Sequence, residues 1–383
     1  MLLAFTLIHE LAGGNMKERA FPALLTAGVI VSLISLVNLA QASSPQAVSP
    51  YQLTVFASAP AGLSAPDSIA VLDDHVFVGY GDGHAPDGSD GKNSQVVEYQ
   101  MDGTIVHVYT VPGHSDGLKV DPVTHKLWAL QNEDANANLV VIDTKSGEQK
   151  LYKFGPTLHG GGYDDIVFRG CEIYISASNP ANNPNTGPAI VSVHLEGDKV
   201  EVRPVLMGNS NAIDVPTDAS VQLNLQDPDS MTLDPLGDIV LDSQADQELI
   251  VVSNPGSSEQ RALRLPLSYV TNTGLTPVET DDTAFVTSSE GFILFADKKL
   301  NAVYTLKKKA FAPGAAYTAA DGGPFVGTVD MTSGIITPIV TGLGNPGGMV
   351  FVDTSATDNE RFHWQAHNEE DDSQCRDSNA GSR

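Results

Sequence analysis

The sequence has few cysteines and few basic residues. Its two cysteines, Cys171 and Cys375, cannot form a framework of several disulfides, so the fold must be held by its core. Cys171 begins an apolar stretch, and we expect it to be a buried free thiol. Lys and Arg number 21 against 47 Asp and Glu, which gives a net charge of −26. That balance excludes the basic surface that a nucleic-acid-binding protein needs.

The sequence also lacks any sustained helical period after residue 43. It contains 35 Gly and 23 Pro but only 18% charged residues, a composition typical of many turns. Hydrophobic residues make up 41%, which is enough for a substantial core and excludes wholesale disorder. We therefore predict an all-β fold.

The first 42 residues have the pattern of a signal peptide. Met16, the expected true start, is followed by Lys17 and Arg19 and then by the uncharged apolar run 23–39. Ala40-Gln41-Ala42 fits the small-x-small rule for cleavage. We expect a secreted or periplasmic protein that has no membrane contact once residues 1–42 are removed. An uncleaved membrane anchor is the alternative, because 17 apolar residues nearly suffice to span a bilayer.

From residue 51 the chain repeats one phrase, in which Asp is followed by a small residue and then by an apolar strand. The phrases begin at 66, 115, 163, 228 and 281, and a sixth at 346 has Gly in place of Asp. Their key positions lie about 50 to 65 residues apart, and 40 to 50 residues is the usual length of a propeller blade. The repeat predicts a six-bladed β-propeller over 43–352.

The last blade is expected to be irregular. Residues 292–296 are predicted to be the second strand of the fifth blade, and nothing after Val352 offers a second or third strand for the sixth. We therefore predict five clear blades plus an incomplete sixth, closed by the N-terminal strand 52–56. Residues 353–383 are predicted to be a disordered acidic tail.

Some of these repeats resemble a known superfamily. Asp116-Gly117-Leu118-Lys119-Val120-Asp121-Pro122, followed by Leu127-Trp128-Ala129-Leu130, is similar to NHL repeats and to the six-bladed propellers of the SMP-30/gluconolactonase type. The resemblance covers roughly residues 51–352. It implies a propeller and, for the lactonases, a divalent metal held by Glu, Asn and Asp in the channel. Here Asp67 stands where the Glu is expected, and Asn345-Pro346-Gly347 differs in order from the Pro-Asn-Gly phrase, so that triad is not reproduced.

The opening aspartates are candidate metal ligands. Each blade's first strand lines the central channel, so its opening Asp and the polar residues that follow the second strand, such as Glu133, should share one mouth. Crowded carboxylates repel one another unless some are protonated or a cation neutralises them. Oxygen ligands favour Ca²⁺, or another divalent cation, over Zn²⁺. The predicted ring consists of Asp67, Asp116, Asp164, Asp229 and Asp282.

A structural role is the alternative for the same aspartates. Pro-Asp-Ser and Ser-Asp-Gly are turn phrases, in which an Asp carboxylate commonly caps neighbouring backbone N–H groups. An Asp that returns in every blade could therefore be a staple of the fold.

Two histidines are candidate general bases. His114 and His159 precede opening aspartates by two and five residues, which predicts that both lie at the channel mouth. The alternative is a solvated loop histidine with no role in catalysis.

Two functions remain open from sequence. One is a divalent-metal-assisted hydrolase of a lactone, ester or similar small molecule. The other is a non-catalytic propeller that binds a protein, peptide or glycan on its loop face. In both cases we expect a monomer with its ligand at the channel mouth and no nucleic-acid partner.

Overall fold

The computed structural model describes residues 44–355. The predicted signal peptide and the part of the predicted tail from residue 356 onward lie outside this range. Within it the chain forms 29 β-strands and no helix, as the sequence predicts. Over the same residues, no helix has the length and apolar character needed to cross a bilayer.

The strands are short, as expected for a chain with frequent turns. The first half contains β1 (Gln46–Ala47), β2 (Gln52–Ser58), β3 (Pro66–Leu72), β4 (His75–Tyr80), β5 (Asn93–Gln100), β6 (Ile105–Pro112), β7 (Ser115–Val120), β8 (Leu127–Gln131), β9 (Asn138–Asp143), β10 (Glu148–Phe154), β11 (Ile166–Arg169), β12 (Glu172–Ser176), β13 (Pro188–Glu196) and β14 (Lys199–Met207). The second half contains β15 (Asn211–Asp214), β16 (Ala219–Gln222), β17 (Pro228–Leu233), β18 (Ile239–Ser243), β19 (Glu248–Ser253), β20 (Arg261–Pro266), β21 (Ser268–Thr271), β22 (Gly274–Pro277), β23 (Thr283–Phe285), β24 (Gly291–Asp297), β25 (Ala302–Lys307), β26 (Ala316–Ala320), β27 (Phe325–Val329), β28 (Ile335–Thr341) and β29 (Pro346–Asp353).

These strands pair into antiparallel units of four around one channel. β3–β6, β7–β10, β11–β14 and β17–β20 are each four consecutive strands. A parallel contact between β10 and β14 joins the second and third units into one sheet. The innermost strands contact one another in the order β3, β7, β11, β17, β23 and β29, and β29 returns to contact β3. The chain is thus a closed β-propeller.

The fifth and sixth units exchange strands, which the sequence did not predict. After β23 the chain forms β24 and β25, and β24 pairs with β29 of the sixth unit. The chain then forms β26–β28, and β26 pairs with β23 of the fifth unit. Residues 292–296 therefore belong to the sixth unit, and their assignment to the fifth is wrong. The physical reason is in the pairing: β24 pairs with β29 along its whole length from Gly291 to Asp297, with one bulge after Phe295, whereas β23 has only three residues, all paired with β26.

The N-terminal strand closes the sixth unit from outside. β2 pairs antiparallel with β25, so this unit runs β29, β24, β25, β2 from the channel outward. Its missing second and third strands are the exchanged pair β24 and β25.

The core lies between neighbouring units. Leu118 and Ala129 of the second unit, for example, pack with Phe77 and Val96 of the first. Such contacts between adjacent sheets bury apolar side chains on both faces of each unit and hold the ring closed.

Cys171 is not the buried thiol that we expected. It lies on the exposed turn between β11 and β12 and is disulfide-bonded. Apolar residues around a cysteine do not identify a buried position when the cysteine occupies a turn between two strands.

Candidate functional site

In four of the six repeats the opening phrase folds as a β-bulge at the start of the inner strand. Pro66 pairs with Tyr80 and Ile69 with Val78, so Asp67 and Ser68 together oppose one residue. The same shift occurs in β7, β17 and β29. A bulge adds a residue to one strand and re-aims its side chains. It thereby turns the opening aspartates toward the channel.

Backbone hydrogen bonds correct the predicted register of the fifth repeat. Ser176 accepts from the N–H of Asp164 and donates to the carbonyl of Asp165, at 3.3 and 3.1 Å. Ala319 does the same with Asp281 and Asp282, at 2.9 Å in both cases. Asp281 is therefore the equivalent of Asp164, and Asp282 occupies the position after it.

The aspartates line one polar cavity of about 260 Å³ at the end of the channel where the inner strands begin. Nine carboxylates border it: Asp67, Asp116, Glu133, Asp164, Asp165, Asp229, Asp281, Asp282 and Asp321. The predicted convergence of the five opening aspartates is thus observed. Asp165, Asp281 and Asp321 were not predicted to be part of the site.

Two of these carboxylates serve as backbone caps. Asp282 accepts a hydrogen bond from the N–H of Met349 at 2.6 Å, and Asp165 accepts one from the N–H of Met231 at 2.9 Å. Each carboxylate thereby ties its inner strand to the inner strand of the next unit. Asp282 has the geometry of the structural staple that was the alternative for all five aspartates.

The remaining aspartates are crowded and poorly hydrated. Burial, together with the charges of Glu133 and Asp67, raises the pKa of Asp116 well above its ordinary value. Burial and Asp116 do the same to the pKa of Asp164, and burial and Asp281 to that of Asp229. Binding of either a proton or a cation therefore stabilises these side chains.

One lysine offsets part of this negative charge. Lys298 lies 2.9 Å from Asp67 and 3.0 Å from Asp281. Although burial disfavours the charged amine, these carboxylates hold the pKa of Lys298 well above its ordinary value. Gly347, the Gly of the sixth phrase, leaves room for the pair: a Cβ there would lie 3.0 Å from both Asp281 oxygens and from Lys298 Cε.

Lys298 occupies a position that recurs in other units. It directly follows β24, just as Gln244 follows β18 and Asp321 follows β26, and all three line the cavity. The shared position, directly after the second strand of a unit, is the signal that could have identified them; for Asp321 it appears only when β26 is assigned to the fifth unit.

His114 lies in a compact group with Asp116 and Glu133. One potential ligand atom from each of the three lies within 4.8 Å of the others, and His114 Nε2 is 3.8 Å from Glu133 Oε1. The backbone N–H of His114 donates to Asn132 Oδ1 at 2.9 Å. The imidazole packs over Gly81, where a Cβ would come within 2.6 Å of the ring.

Two polar atoms in this group are buried and lack hydrogen-bond partners among residues 44–355. They are His114 Nδ1 and the Oδ2 atom of Asp116. Buried polar atoms are normally paired, and an unpaired one carries a desolvation cost of about 1–3 kcal/mol. Such atoms beside a polar cavity fit a bound ion.

His159 is placed differently from His114. It is buried, its Nε2 lies 2.7 Å from the carbonyl oxygen of Gly162, and it is not among the residues that line the acidic cavity. Burial lowers its pKa, so the ring is neutral at pH 7. His114 is likewise not among the residues that line the cavity. The structure shows that His159 is buried rather than solvated, and its role as a general base stays a prediction.

Comparison with known proteins finds similarity in structure alone. No family model and no curated protein sequence matches the chain. A streptogramin B lyase structure is 13% identical, covering 80% of this chain and 74% of that one, with a TM-score of 0.43. Virginiamycin B lyase from Staphylococcus aureus is 11% identical, covering 81% and 91%, with a TM-score of 0.44.

The periplasmic gluconolactonase of Pseudomonas aeruginosa is 13% identical, covering 79% of this chain and 99% of that one, with a TM-score of 0.40. Identities this low concern only the fold. The predicted propeller architecture itself is shown by the strand pairing described above.

Proposed function

We propose that the acidic cavity binds a divalent cation and that the protein is a metal-assisted hydrolase of a lactone, ester or similar small molecule. The observation that carries this proposal is the unpaired Oδ2 of Asp116, which is buried beside Glu133 at the edge of a cavity lined by carboxylates. Asp116 is only 6% exposed, so water does not readily compensate its charge.

The residues present fit such an ion. Asp116, Glu133 and Asp164 would hold it, because the first two lie together and the charge of Asp116 acts directly on Asp164. When bound, a divalent cation polarises a carbonyl oxygen and so favours attack on an ester or lactone. Oxygen ligands of this kind suit Ca²⁺ or Mn²⁺.

The chain's own residues then provide the proton transfer and the positive charge. In this proposal His114 accepts the proton of an attacking water, and its support is the short distance of 3.8 Å from His114 Nε2 to the Glu133 carboxylate, which would stabilise the imidazolium. Lys298 keeps a positive charge at the cavity wall, where it attracts an oxyanion or a carboxylate of the substrate.

The test begins with binding. Protein treated with chelator is titrated with Ca²⁺ and Mn²⁺ by calorimetry, and the parent is compared with the double variant Asp116→Asn/Asp164→Asn. We expect the double variant to lose more than about tenfold in affinity, equivalent to about 1.4 kcal/mol. Asp102→Asn, on the exposed turn between β5 and β6, is the matched control and should bind like the parent. A parent that binds neither ion contradicts the proposal.

Activity separates the roles of ligand and base. On a panel of lactones and aryl esters, His114→Ala should retain cation binding but lose turnover. Loss of both would make His114 a ligand rather than the base. A parent that binds the cation and turns over no member of the panel would favour the binding propeller, whose ligand is a peptide or glycan.

A further inference from the structure

The opposite end of the channel is a second cavity with a different character. It measures about 230 Å³, and the far ends of all six inner strands line it. Its apolar wall includes Val71, Phe168, Leu233, Phe285 and Phe351. The hydrolase proposed above needs only the acidic end of the channel, so the apolar end requires an explanation of its own.

Part of the apolar wall is accessible from the cavity. Val71, Leu233 and Phe351 are only half-buried, although each packs against the core behind it. Water beside a concave hydrocarbon surface is poorly held, so an apolar body that displaces this water gains free energy. The wall therefore favours an apolar ligand over water.

The size and the lining of the cavity indicate which apolar body fits. A dry apolar cavity of about 150 Å³ is enough to take up benzene, and the present one measures about 230 Å³. Phe168, Phe285 and Phe351 belong to three different inner strands, so a ring that enters the cavity meets aromatic side chains from separate parts of the wall. One aromatic ring with a short alkyl chain matches these dimensions.

The charged residues of the cavity are mostly acidic. Its carboxylates are those of Asp73, Asp234, Asp282 and Asp353. Among the described residues that line it, Lys119 alone carries a positive charge, and its ammonium lies 2.8 Å from Asp165, which balances that charge. The cavity therefore attracts a cation and repels an anion that has the same apolar body.

Two of these carboxylates are fixed at the rim, where the inner strands end. Asp353 is the last residue of β29, and Asp234 directly follows β17. Burial disfavours the charged form of Asp353, but hydrogen bonds from Ser355 and Ser288 outweigh it and lower its pKa. Asp234 accepts a hydrogen bond from the N–H of Leu236 at 2.8 Å, which holds its carboxylate on the turn. Negative charge thus stands at the edge of the apolar wall.

We propose that the apolar end of the channel binds an arylalkylamine, a small molecule in which a short alkyl chain joins one aromatic ring to a protonated amine. The ring lies against the apolar wall, and the ammonium lies at the rim beside the carboxylates. Such a ligand removes hydrocarbon from water while its charged group stays at the edge, where it keeps part of its hydration. The proposal does not depend on the metal-assisted hydrolase.

Three probes with the same apolar body test the match of charge. The full chain is titrated by calorimetry, in the presence of chelator, with phenylbutylamine, phenylbutanol and phenylbutyrate. We expect the amine to bind at least about tenfold more tightly than the carboxylate, with the alcohol between them. Added salt should weaken binding of the amine several-fold and leave that of the alcohol unchanged. A parent that binds all three probes equally, or none of them, would overturn the proposal.

Butylamine, which lacks the ring, separates this site from the acidic cavity. Phenylbutylamine should bind at least about tenfold more tightly than butylamine, because the ring removes further apolar surface from water. The double variant Asp116→Asn/Asp164→Asn should bind phenylbutylamine as the parent does. Equal binding of the two amines, weakened alike in the double variant, would place the amine among the carboxylates of the acidic cavity and contradict the proposal.

A matched pair of leucines locates the ring. Leu233 lines the apolar cavity, whereas Leu236, on the turn that follows, is 82% exposed and does not. Leu233→Asn should weaken binding of phenylbutylamine several-fold, and Leu236→Asn should leave it unchanged. Equal effects of the two would show that the ring binds elsewhere. If Leu233→Asn does not fold, Val71→Asn takes its place.

A matched pair of aspartates locates the ammonium. Asp234 and Asp102 each accept from the N–H two residues further on, at 2.8 and 2.9 Å, and Asn keeps that acceptor oxygen. Asp234→Asn should weaken binding of phenylbutylamine several-fold without affecting phenylbutanol, and Asp102→Asn should affect neither. An equal loss for the alcohol would show that Asp234 shapes the cavity rather than attracting the ammonium, which contradicts the match of charge.

Sedimentation tests a second copy of the chain as the occupant of the cavity. The parent should remain a monomer with and without phenylbutylamine. A dimer that dissociates when the amine is added would show that another copy covers the apolar end, and would overturn the proposal.

Discussion

At the scale of single residues, two adjacent aspartates that directly precede an inner strand perform different tasks. Asp281 extends into the acidic cavity and pairs with Lys298, whereas Asp282 binds the N–H of Met349. Asp164 and Asp165 repeat this division, since Asp165 binds the N–H of Met231. Both side chains of each pair line the acidic cavity, but only one of them accepts a hydrogen bond from the backbone of the next inner strand.

The capping role of Asp282 can be measured by two substitutions. Asp282→Ala removes the acceptor for Met349 N–H and should lower the free energy of unfolding by about 1–3 kcal/mol. Asp282→Asn keeps an oxygen acceptor and should cost less than half of that. Urea denaturation followed by circular dichroism gives both values. An alanine variant as stable as the parent would contradict the staple.

The sequence predicted the acidic site in outline and missed its details for a physical reason. The Asp phrase identified Asp67, Asp116, Asp164 and Asp229. Each is followed by a small residue, except Asp164, which is followed by a carboxylate that caps a backbone N–H. In the fifth phrase both candidates are Asp, and only the hydrogen bonds to Ala319 distinguish Asp281 from Asp282. Asp321 was missed because β26 becomes the second strand of its unit only through pairing that skips β24 and β25 in the sequence.

At the scale of elements, glycines let the inner strands approach one another. A Cβ on Gly348 would overlap the backbone carbonyl of Asp67, and a Cβ on Gly117 that of Asp164. Since backbone cannot move aside as a flexible side chain does, the contacts between neighbouring inner strands require Gly at these two positions.

This requirement predicts a contrast between two Gly→Ala variants. Gly348→Ala should destabilise the protein by about 1–3 kcal/mol, because the ring must expand to fit one methyl group. Gly155→Ala is the matched control: no atom lies within 4 Å of the added Cβ, and its φ is not positive. It should change stability by about 0.5 kcal/mol or less. Equal melting temperatures for the two variants would contradict the close approach.

The strands themselves were predictable, but not all their partners. Runs such as 139–142 and 335–340 form strands, because alternating or continuous β-branched residues between turns leave few alternatives. The exchange of β24 and β25 was not predictable from a repeat. The sequences of β24 and β25 would suit the second and third strands of any unit. Which unit they join depends on whether β23 or β29 offers β24 the longer run of paired residues.

At the scale of the whole molecule, the acidic cavity should make stability depend on pH. Burial, opposed in part by Lys298, raises the pKa of Asp281 to about 8, and the pKa values of Asp116, Asp164 and Asp229 are raised as well. Between about pH 4 and pH 8 the folded protein therefore holds protons that the unfolded chain has released. Stability must fall as pH rises through this window.

Thermal melting in the presence of chelator checks this sign. The melting temperature of the parent should be several degrees lower at pH 8 than at pH 5, since even 1 kcal/mol shifts the melting temperature of such a protein by about 2–4 °C. Asp281→Asn should show a shallower fall. A melting temperature that rises between pH 5 and pH 8 would mean that the cavity carboxylates are not destabilised in the folded state.

The exchange of strands between the last two units also constrains the order of events during synthesis. β24 and β25 leave the ribosome some 50 residues before β29, the strand that flanks β24 on the channel side. Until then the edge of β24, including Leu294 and Phe295, has no neighbour on that side. The ring can close only after residue 353 has emerged, so chains interrupted before this point would expose an open strand edge prone to aggregation.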